Sequence, residues 1–557
     1  MIHHPARAGS CSVSCGRIHC FSVGNSVVQH ADQYTGRVNF DMIDRALSVI
    51  DINGVTQLKK RTITVPAQTA IERQQFYRDH IRQCQDRYRT ETGFARRYFI
   101  ETYGCQLNEN DSEYLSGLLD DMGYVPAEST READLIILNT CSIREHAASR
   151  LFGNLGHLKP LRRERPDLVI AVCGCMMKRD EYVDRIDRSF SFVDIVFGPQ
   201  DIYRLPEFLY GRLIDERRIY AVGDEDVIVE GLPIHRVRRF RALVSIMFGC
   251  NNFCTYCVVP YTRGRERSRR PAEILDEIRQ LAEQGYQEIM LLGQNVNSYG
   301  HDLPDDESGP RNFAQLLAAV AEIGDFSRVR FMTSHPKDLS DELIAVMSRH
   351  PVIEQHVHLA LQSGSNTVLK RMNRRYTREQ FFEIVRKLRA AVPGLSISTD
   401  LIVGFPGETE EEFADTLDLM RQIRFDSAFT FQFSPRDGTP AASMDDQIAP
   451  EIIADRFRRL TDLQNEHSLS SNQATIGRSF EVLIEGRSSG DAEVLSGRTR
   501  CNRLVNLRVP DSMRLPDDCY DDNGQLRGDK LEGRLAQVKM TEAKTFSLIG
   551  ELEKLLP

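Results

Sequence analysis

Three cysteines in one short loop could bind a metal centre. Cys250, Cys254 and Cys257 are separated by three and then by two residues, so their thiolates can all face one point. Three thiolates can hold three irons of a 4Fe-4S cube and leave the fourth iron open to a further ligand. A structural zinc site is the alternative, but zinc prefers a closed tetrahedral set and this loop supplies no fourth ligand. The spacing therefore favours an iron–sulfur cluster with an open iron.

A second set of three cysteines is spread through the preceding part of the chain. Cys105, Cys141 and Cys175 each follow a short apolar run rich in β-branched residues. Such runs, alternating with helical stretches, predict a parallel sheet, whose strands all end at one edge where ligands bind. We expect these thiols to converge there; three unrelated buried cysteines are the alternative. Cys173, beside the third strand end, is interpreted as a core residue.

The amino-terminal cysteines do not repeat the pattern. Cys11, Cys15 and Cys20 have spacings of three and four residues, and no predicted strand precedes them. The first 31 residues contain no acidic residue, which is weak support for a transit peptide because only two are arginines. Residues 1–96 are interpreted as a poorly specified extension that ends in a solvated helix or linker.

The elements that position the cysteine loop form a repeating α/β pattern. Within residues 236–470, six strands alternate with helical stretches, which is too few for a complete eight-fold barrel. The predicted strands are Ala242–Phe248, Glu288–Gly293, Arg328–Thr333, His356–Leu361, Ser396–Val403 and Ser427–Phe433. The first strand delivers Cys250, so the active face should be the carboxyl edge.

The cysteine loop and the six-unit partial barrel resemble the radical S-adenosylmethionine (SAM) enzymes. The resemblance implies that SAM chelates the open iron and that Tyr256, before the last cysteine, packs near its adenine. Polar turns on the same face are candidate SAM contacts, although turns of this kind also simply end strands. The SAM-binding candidates are Tyr256, Gly293, Gln294, Asn295, Ser363 and Asp400.

Two basic segments are candidates for RNA binding. Arg263 and Arg265 lie in an arginine-rich run after the cysteine loop, and Arg498 and Arg500 lie in the carboxyl-terminal region. Short strands without intervening helices in residues 475–550 predict a small antiparallel β-barrel that looks like a TRAM module. A solvated charged turn and charge protection of an edge strand are the alternatives.

Composition excludes several classes of protein. A chain of 557 residues predicts about three domains or more, and no apolar run is long enough to cross a bilayer. Thirteen cysteines, an odd number without an apolar signal sequence, favour ligation or reduced thiols over a disulfide framework. The net charge of −9 argues mildly against a general nucleic-acid binder, so local charge must decide.

The whole arrangement resembles the methylthiotransferase family of radical SAM enzymes. Residues 97–215 correspond to its amino-terminal α/β domain, residues 236–470 to its radical SAM core and residues 475–550 to its TRAM module. Three stretches, residues 249–264, 292–297 and 497–499, look most like the bacterial members that act on N(6)-dimethylallyladenosine in tRNA. Threonylcarbamoyladenosine in tRNA and a ribosomal-protein aspartate are the alternative substrates of the family. A non-catalytic RNA-binding protein holding zinc or structural clusters is the alternative from another class.

The resemblance implies two 4Fe-4S clusters, an auxiliary one on Cys105, Cys141 and Cys175 and a SAM-binding one on Cys250, Cys254 and Cys257. It further implies radical insertion of a methylthio group at carbon 2 of the adenine, next to the tRNA anticodon. The expected partners are the anticodon loop, a flavodoxin or ferredoxin as reductant, and a sulfur donor. We expect a cytoplasmic monomer with no membrane association.

Overall fold

The computed structural model describes residues 55–57, 67–142, 145–223, 227–488, 491–510, 512–520 and 526–556. Cys11, Cys15 and Cys20 lie outside the described residues, as does most of the predicted extension. Within the described ranges no helix is long and apolar enough to span a bilayer. The ten described cysteines form no disulfide.

The amino-terminal domain is built on a parallel sheet, as the apolar runs predict. Its strands are β1 Val55–Gln57, β2 Arg97–Tyr103, β3 Val125–Pro126, β4 Leu135–Thr140, β5 Val169–Gly174, β6 Ile195–Phe197 and β7 Arg218–Ala221. Their order is β1-β7-β6-β5-β4-β2-β3, and every pair is parallel. All six residues of β4 and of β5 are buried, because helices cover both faces of the sheet.

The helices of this domain include one that the sequence assigned to the extension. They are α1 Ala67–Thr92, α2 Gln106–Asp121, α3 Glu145–Glu164, α4 Asp180–Ser189 and α5 Leu205–Leu213. Ile81 of α1 is fully buried in the core beneath the sheet, and Tyr77 packs on Tyr210 of α5 with ring centroids 5.1 Å apart. The domain therefore includes α1, and β7 extends it beyond residue 215.

The central domain is an open half-barrel of six parallel strands. They are β8 Arg241–Ser245, β11 Glu288–Leu292, β12 Arg328–Phe331, β13 His356–His358, β14 Ser396–Val403 and β15 Ser427–Gln432. The described sheets run β12-β11-β8 and β13-β14-β15, and isolated parallel bridges join the segments of β12 and β13. Two short strands, β9 Met247–Phe248 and β10 Arg267–Ser268, pair antiparallel around the cysteine loop. The six predicted units are confirmed.

Helices cover the outer face of the half-barrel. The short helix α6 Val259–Thr262 follows the cysteine loop, and the outer helices are α7 Pro271–Glu283, α8 Phe313–Ala321, α9 Asp341–Arg349, α10 Asn366–Arg371, α11 Arg378–Ala391, α12 Glu410–Ile423 and α13 Pro450–Gln473. Alternate strand residues such as Val244, Leu291 and Leu401 pack against these helices. Because side chains alternate along a strand, the residues between them face the inside of the half-barrel.

The carboxyl-terminal domain is a closed barrel. Its described strands are β16 Ser479–Ser488, β17 Asp491–Thr499, β18 Leu504–Arg508, β19 Leu535–Ala543 and β20 Leu548–Leu555, with a short helix α14 Gly528–Leu531. The order is β16-β17-β18-β20-β19, and β18 and β20 pair in parallel while the other neighbours are antiparallel. The predicted small barrel is confirmed, with one parallel pair in it. The strand β17, which contains the candidate Arg498, pairs with β16 and β18 in this closure.

Arginines at the starting ends of the central strands bind this barrel. Arg328, fully buried at the start of β12, donates to the backbone oxygen of Arg498 over 2.8 Å. The same guanidinium lies 3.5 Å from the Glu354 carboxylate and 3.4 Å from that of Glu481. The small barrel therefore closes the end of the half-barrel opposite the carboxyl edge.

Candidate functional site

The cysteines that follow β2, β4 and β5 come together at the carboxyl edge of the amino-terminal sheet. The neighbouring Cys141 thiol accepts a hydrogen bond from Cys105 and, together with burial, raises the pKa of Cys105 well above its usual value. Burial raises the pKa of Cys175 to about 11, and Cys105 is among the charges that contribute. The three thiols thus share one buried place, as the strand positions predicted.

Two buried asparagines fix the loops that carry these thiols. Asn108 donates through Nδ2 to Oδ1 of Asn139 and to the backbone oxygen of Thr140, both over 3.0 Å. Asn139 returns a 2.9 Å hydrogen bond to the backbone oxygen of Asn108. Gly174 has φ +100°, and a Cβ there would lie 2.2 Å from the Thr140 oxygen. The close approach of β4 and β5 beside the cysteines therefore requires glycine.

A buried arginine contacts this cysteine set from the central domain. Arg263 donates through Nε to Sγ of Cys175 over 2.9 Å, and its Nη2 lies 2.6 Å from Oδ2 of Asp111. Its guanidinium is almost fully buried. This placement corrects the expectation that Arg263 faces RNA, because its donors are directed at a thiol and a carboxylate inside the protein.

The other three cysteines lie in a loop that is held from several sides. Asn373 donates through Nδ2 to the backbone oxygens of Asn252 over 3.2 Å and of Phe253 over 2.9 Å. Phe253 has φ 47°, a left-handed conformation that a phenylalanine adopts only when its surroundings fix it. The backbone N–H of Thr255 donates to Met372 over 3.1 Å. The loop is therefore preorganised by the segment after α10.

Burial and mutual proximity affect the thiols of this loop. Burial, together with the charge of the neighbouring Cys254, raises the pKa of Cys250 to about 11 and that of Cys257 to about 12. Arg374, also buried, donates through Nη1 to Sγ of Cys254 over 3.5 Å and through Nη2 to the backbone of Ala360. Each cysteine set thus has one buried guanidinium against one of its sulfurs.

The first helix after the auxiliary cysteine Cys105 connects the two sets. Leu107 of α2 packs on Leu243, Met290 and Leu292, which face the inside of the half-barrel, and Cys105 lies against the same group. Asn110 donates to the backbone oxygen of Leu243 over 3.2 Å. The cysteines of the amino-terminal domain therefore open towards the inside of the half-barrel.

The predicted SAM contacts are distributed around this inner face, and some of them are engaged by the protein itself. Tyr256 packs against a small apolar cluster that contains Val368, Met372 and Phe405. Gly293 ends β11, and a Cβ there would lie 2.6 Å from the Met247 side chain. The Oε1 atom of Gln294 is buried without a hydrogen-bond partner in the described structure, so it is available to a ligand.

Three other candidates differ in how free their polar atoms are. Asn295 donates to Asp338 over 2.7 Å and accepts from the backbone of His335, so its amide fixes the turn. Ser363 is fully buried and its hydroxyl lies 3.3 Å from that of Thr416, which gives it a structural role in this fold. The side chain of Asp400 is a quarter exposed, and its Oδ2 lies 3.3 Å from Nε2 of His358. Asp400 can therefore reach a ligand.

The remaining arginine candidates also occupy different environments. Arg265 is exposed and its guanidinium lies 4.4 Å from the centroid of the Phe253 ring. Arg498 and Arg500 pair with Glu485 and Glu481 at 3.4 Å each, next to the junction with the central domain. Arg265 keeps a solvent-facing charge, whereas the other two side chains pair with carboxylates of their own barrel and their backbone oxygens accept from Arg328 and from the backbone of Gln355.

In the described part of the chain, no group of three or more His, Cys, Asp or Glu side chains is close enough to hold a single metal ion. Each cysteine set nevertheless supplies three neighbouring soft donors, two buried and one partly buried, and a buried guanidinium against one of their sulfurs. Thiolate triads with this chemistry suit iron–sulfur clusters. The residues present fit the implied cofactors.

Comparisons with known proteins agree with this site. Residues 244–420 match the Radical SAM superfamily, and residues 97–198 match the Uncharacterized protein family UPF0004. The tRNA-2-methylthio-N(6)-dimethylallyladenosine synthase of Acetivibrio thermocellus is 45% identical over 89% of this chain and 99% of its own length. The enzyme of the same name from Alkaliphilus oremlandii is 49% identical over 83% of this chain and 93% of its own length. The two matched family regions contain the two cysteine sets.

Proposed function

Because this chain belongs to the family of the tRNA-2-methylthio-N(6)-dimethylallyladenosine synthases, we propose that it adds a methylthio group to carbon 2 of that nucleoside at tRNA position 37. It is a radical SAM methylthiotransferase that acts on tRNA. The observation that best supports the reaction is that Arg263, six residues after the last cysteine of one set, donates to Cys175 of the other set. A reaction that combines SAM cleavage with sulfur transfer needs both sites at one substrate.

The enzyme uses an iron–sulfur cluster and SAM, and we propose two clusters, one on each cysteine set. When bound, the cluster on Cys250, Cys254 and Cys257 would supply the reductive cleavage of SAM. The cluster on Cys105, Cys141 and Cys175 would supply the sulfur. The unactivated carbon 2 of adenine cannot be functionalised by a general base, which explains the need for radical chemistry.

The protein's own residues provide position and protection. Asn373 and Arg374 hold the cysteine loop, and Tyr256 with its apolar neighbours covers the space beside it. The Gln294 amide and the Asp400 carboxylate have polar atoms that are able to bind SAM or the base. His358 lies against Asp400 and Ser398 at 3.3 and 3.0 Å, which limits the orientations of that carboxylate. Because these groups are already held in place, little free energy is lost in ordering them when the ligand binds.

The substrate base must leave its stack to reach the inner face, which favours an unpaired anticodon loop over a duplex. We propose Arg265 as a phosphate contact at the rim, since it is exposed beside the cysteine loop. A flavodoxin or ferredoxin would supply electrons, and a separate donor would replace the sulfur. We further propose that the enzyme acts as a monomer in the cytoplasm, where its tRNA substrate is found.

Nucleoside analysis of tRNA tests the function. A strain lacking this protein should lose 2-methylthio-N(6)-dimethylallyladenosine and accumulate the unthiolated precursor, and the intact gene should restore the product. Persistence of that nucleoside, with no second enzyme in the strain to supply it, would refute the proposal. Loss of the threonylcarbamoyl derivative or of a modified ribosomal protein instead would assign the enzyme to the corresponding substrate.

A further inference from the structure

Two phenylalanines of β15 lie on the inner face of the half-barrel. In the parallel pairing of β14 with β15, Asp400 stands opposite Phe429 and Ile402 opposite Phe431. Paired residues in adjacent strands point to the same side of a sheet. The alternate residues of β14, such as Leu401 and Val403, pack in the core with the helices. Phe429 and Phe431 therefore project to the inside, together with Asp400.

Both rings are unusually exposed. Phe429 is 55% exposed and Phe431 is 48% exposed, whereas Phe425 just before the strand is fully buried. In the described sheet β15 is the last strand, so its inner face borders the lateral opening of the half-barrel. Two adjacent, half-exposed aromatic rings on a concave surface are typical of a binding site for an apolar group.

These rings continue the site around the cysteine loop. Ile402, the partner of Phe431, packs on the same apolar cluster as Tyr256. The Phe429 ring contacts His358 edge-on, with centroids 5.7 Å apart, and His358 in turn contacts Asp400. One continuous surface thus runs from the cysteine loop to the open edge of β15.

The charges on this surface select the kind of ligand. Asp400 places a carboxylate beside Phe429. Burial, together with the charge of Arg330, keeps the pKa of His356 well below its usual value, so the His356 imidazole stays neutral. The Arg330 guanidinium is engaged by Glu354 over 2.8 Å and by Glu288 over 3.2 Å. An anionic substituent on the ligand would be repelled by the Asp400 carboxylate, whereas an uncharged apolar substituent would pack on the rings of Phe429 and Phe431.

We propose that Phe429 and Phe431 bind the five-carbon dimethylallyl tail on the target adenosine and so select prenylated tRNA. This inference rests on the proposed function, because it assigns a specificity contact to that substrate. Burial of the tail against two rings removes apolar area of both partners from water, which favours the prenylated base over plain adenosine. The acidic tail of threonylcarbamoyladenosine is disfavoured at the same place by the Asp400 carboxylate.

The test compares the full-length protein with a Phe429→Ala/Phe431→Ala variant. Two synthetic anticodon stem-loops that differ only in the dimethylallyl group are titrated by fluorescence anisotropy. The parent should prefer the prenylated RNA by about tenfold or more. The variant should lose most of that preference while its Kd for the unprenylated RNA stays unchanged.

Two further variants guard against indirect effects. Phe429→Leu/Phe431→Leu retains apolar area and should retain most of the preference. Phe382→Ala removes another exposed ring, on α11 at the outside of the barrel, and should leave both Kd values at the parent level. Matching thermal unfolding of all variants would show that they fold.

Three outcomes would overturn the inference: a parent without preference for the prenylated RNA, an Ala/Ala variant with the full preference, or tighter binding of a threonylcarbamoylated stem-loop by the parent. Failure of the proposed function looks different, because the parent would then form no methylthio product on the prenylated stem-loop. Normal product formation together with an unchanged Kd ratio in the variant would reject only the role of the two rings.

Discussion

Arg263 and Cys175 join the two cysteine sets, since the arginine Nε donates to the cysteine Sγ over 2.9 Å. Arg263 follows Cys257 by six residues, whereas Cys175 belongs to the amino-terminal domain. The short helix α6 lies between Cys257 and Arg263. One helical turn and the Arg263–Cys175 hydrogen bond therefore connect the two cysteine sets. The carboxylate of Asp111 balances the buried charge.

We predict that Arg263→Gln lowers the reduction potential of a cluster held by Cys105, Cys141 and Cys175. A cation that donates to a ligand sulfur stabilises the more negative, reduced cluster, so its loss favours oxidation. The expected shift is on the order of 60 mV, a tenfold change in a one-electron equilibrium. The measurement is an electron paramagnetic resonance titration in a background where Cys250, Cys254 and Cys257 are alanine.

Asp111→Asn in the same background should move the potential in the opposite direction, because it removes the anion that offsets Arg263. Arg263→Lys should give a value between those of the parent and Arg263→Gln. Arg374→Gln is the matched control, since that guanidinium lies against Cys254 and should leave this potential unchanged. Equal potentials in the Arg263→Gln variant and the parent would contradict the proposed contact.

We predict that single cysteine variants separate the two half-reactions. Cys254→Ala should abolish SAM cleavage, whereas Cys141→Ala should retain cleavage and lose sulfur transfer. Iron content should fall from about eight atoms per chain to about four in either variant, because each set holds one four-iron cube. Assays of 5′-deoxyadenosine and of the methylthio nucleoside on anaerobically reconstituted protein measure both outcomes. SAM cleavage at the parental rate by Cys254→Ala would exclude the assignment.

Both cysteine sets could be proposed from the sequence because their positions depend on local spacing and on strand ends. The apolar runs Leu135–Asn139 and Leu168–Val172 favoured strands covered on both faces, and the structure has these strands at Leu135–Thr140 and Val169–Gly174, so Cys141 and Cys175 follow neighbouring parallel strands. The half-barrel followed from the same alternation of strands and helices.

The roles of individual arginines could not be predicted in the same way. Arg263 and Arg265 are two residues apart in one basic run. Only Arg263 is buried in an ion pair with Asp111, which lies 152 residues earlier in the chain. Arg498 belongs to a strand whose partner surface is another domain. Helix α1 was underestimated because two apolar residues, Tyr77 and Ile81, one turn apart, are enough to bury it in a mostly polar segment.

We predict that Arg328→Leu loosens the carboxyl-terminal barrel. The substitution removes one of the buried cations that pair with the Glu354 carboxylate. Burial already raises the pKa of Glu354 to about 7. Breaking a buried ion pair typically costs about 3–5 kcal/mol. Thermal unfolding and limited proteolysis near residues 474–478 should both report the loss.

Arg458→Ala provides the control for that change. Arg458 pairs with Asp455 and Asp462 on the exposed face of α13, where such pairs contribute only about 0.2–1 kcal/mol. If the Arg328 and Arg458 variants were equally stable, the barrel would not depend on the buried arginine.

We predict that the stability of the half-barrel falls as the pH is lowered below about 6.5, in part through His335. Burial, with the charges of Arg374, Lys337 and Arg375, lowers the pKa of His335 to about 2. The unfolded chain binds a proton near pH 6.5 while the native imidazole stays neutral, so stabilisation present above that pH is lost as the pH falls. The slope from one such group is about 1.4 kcal/mol per pH unit.

His335→Asn should flatten the acid side of the stability profile, measured by chemical unfolding at several values between pH 7 and pH 5. The substitution also removes the edge contact of the imidazole with Tyr376, whose ring centroid is 5.6 Å away, so a constant loss at every pH is expected beside the change in slope. His301→Asn is the matched control for the loss of a histidine side chain, because His301 is exposed. A variant that lost stability by the same amount at pH 7 and pH 5 would show that His335 contributes packing alone.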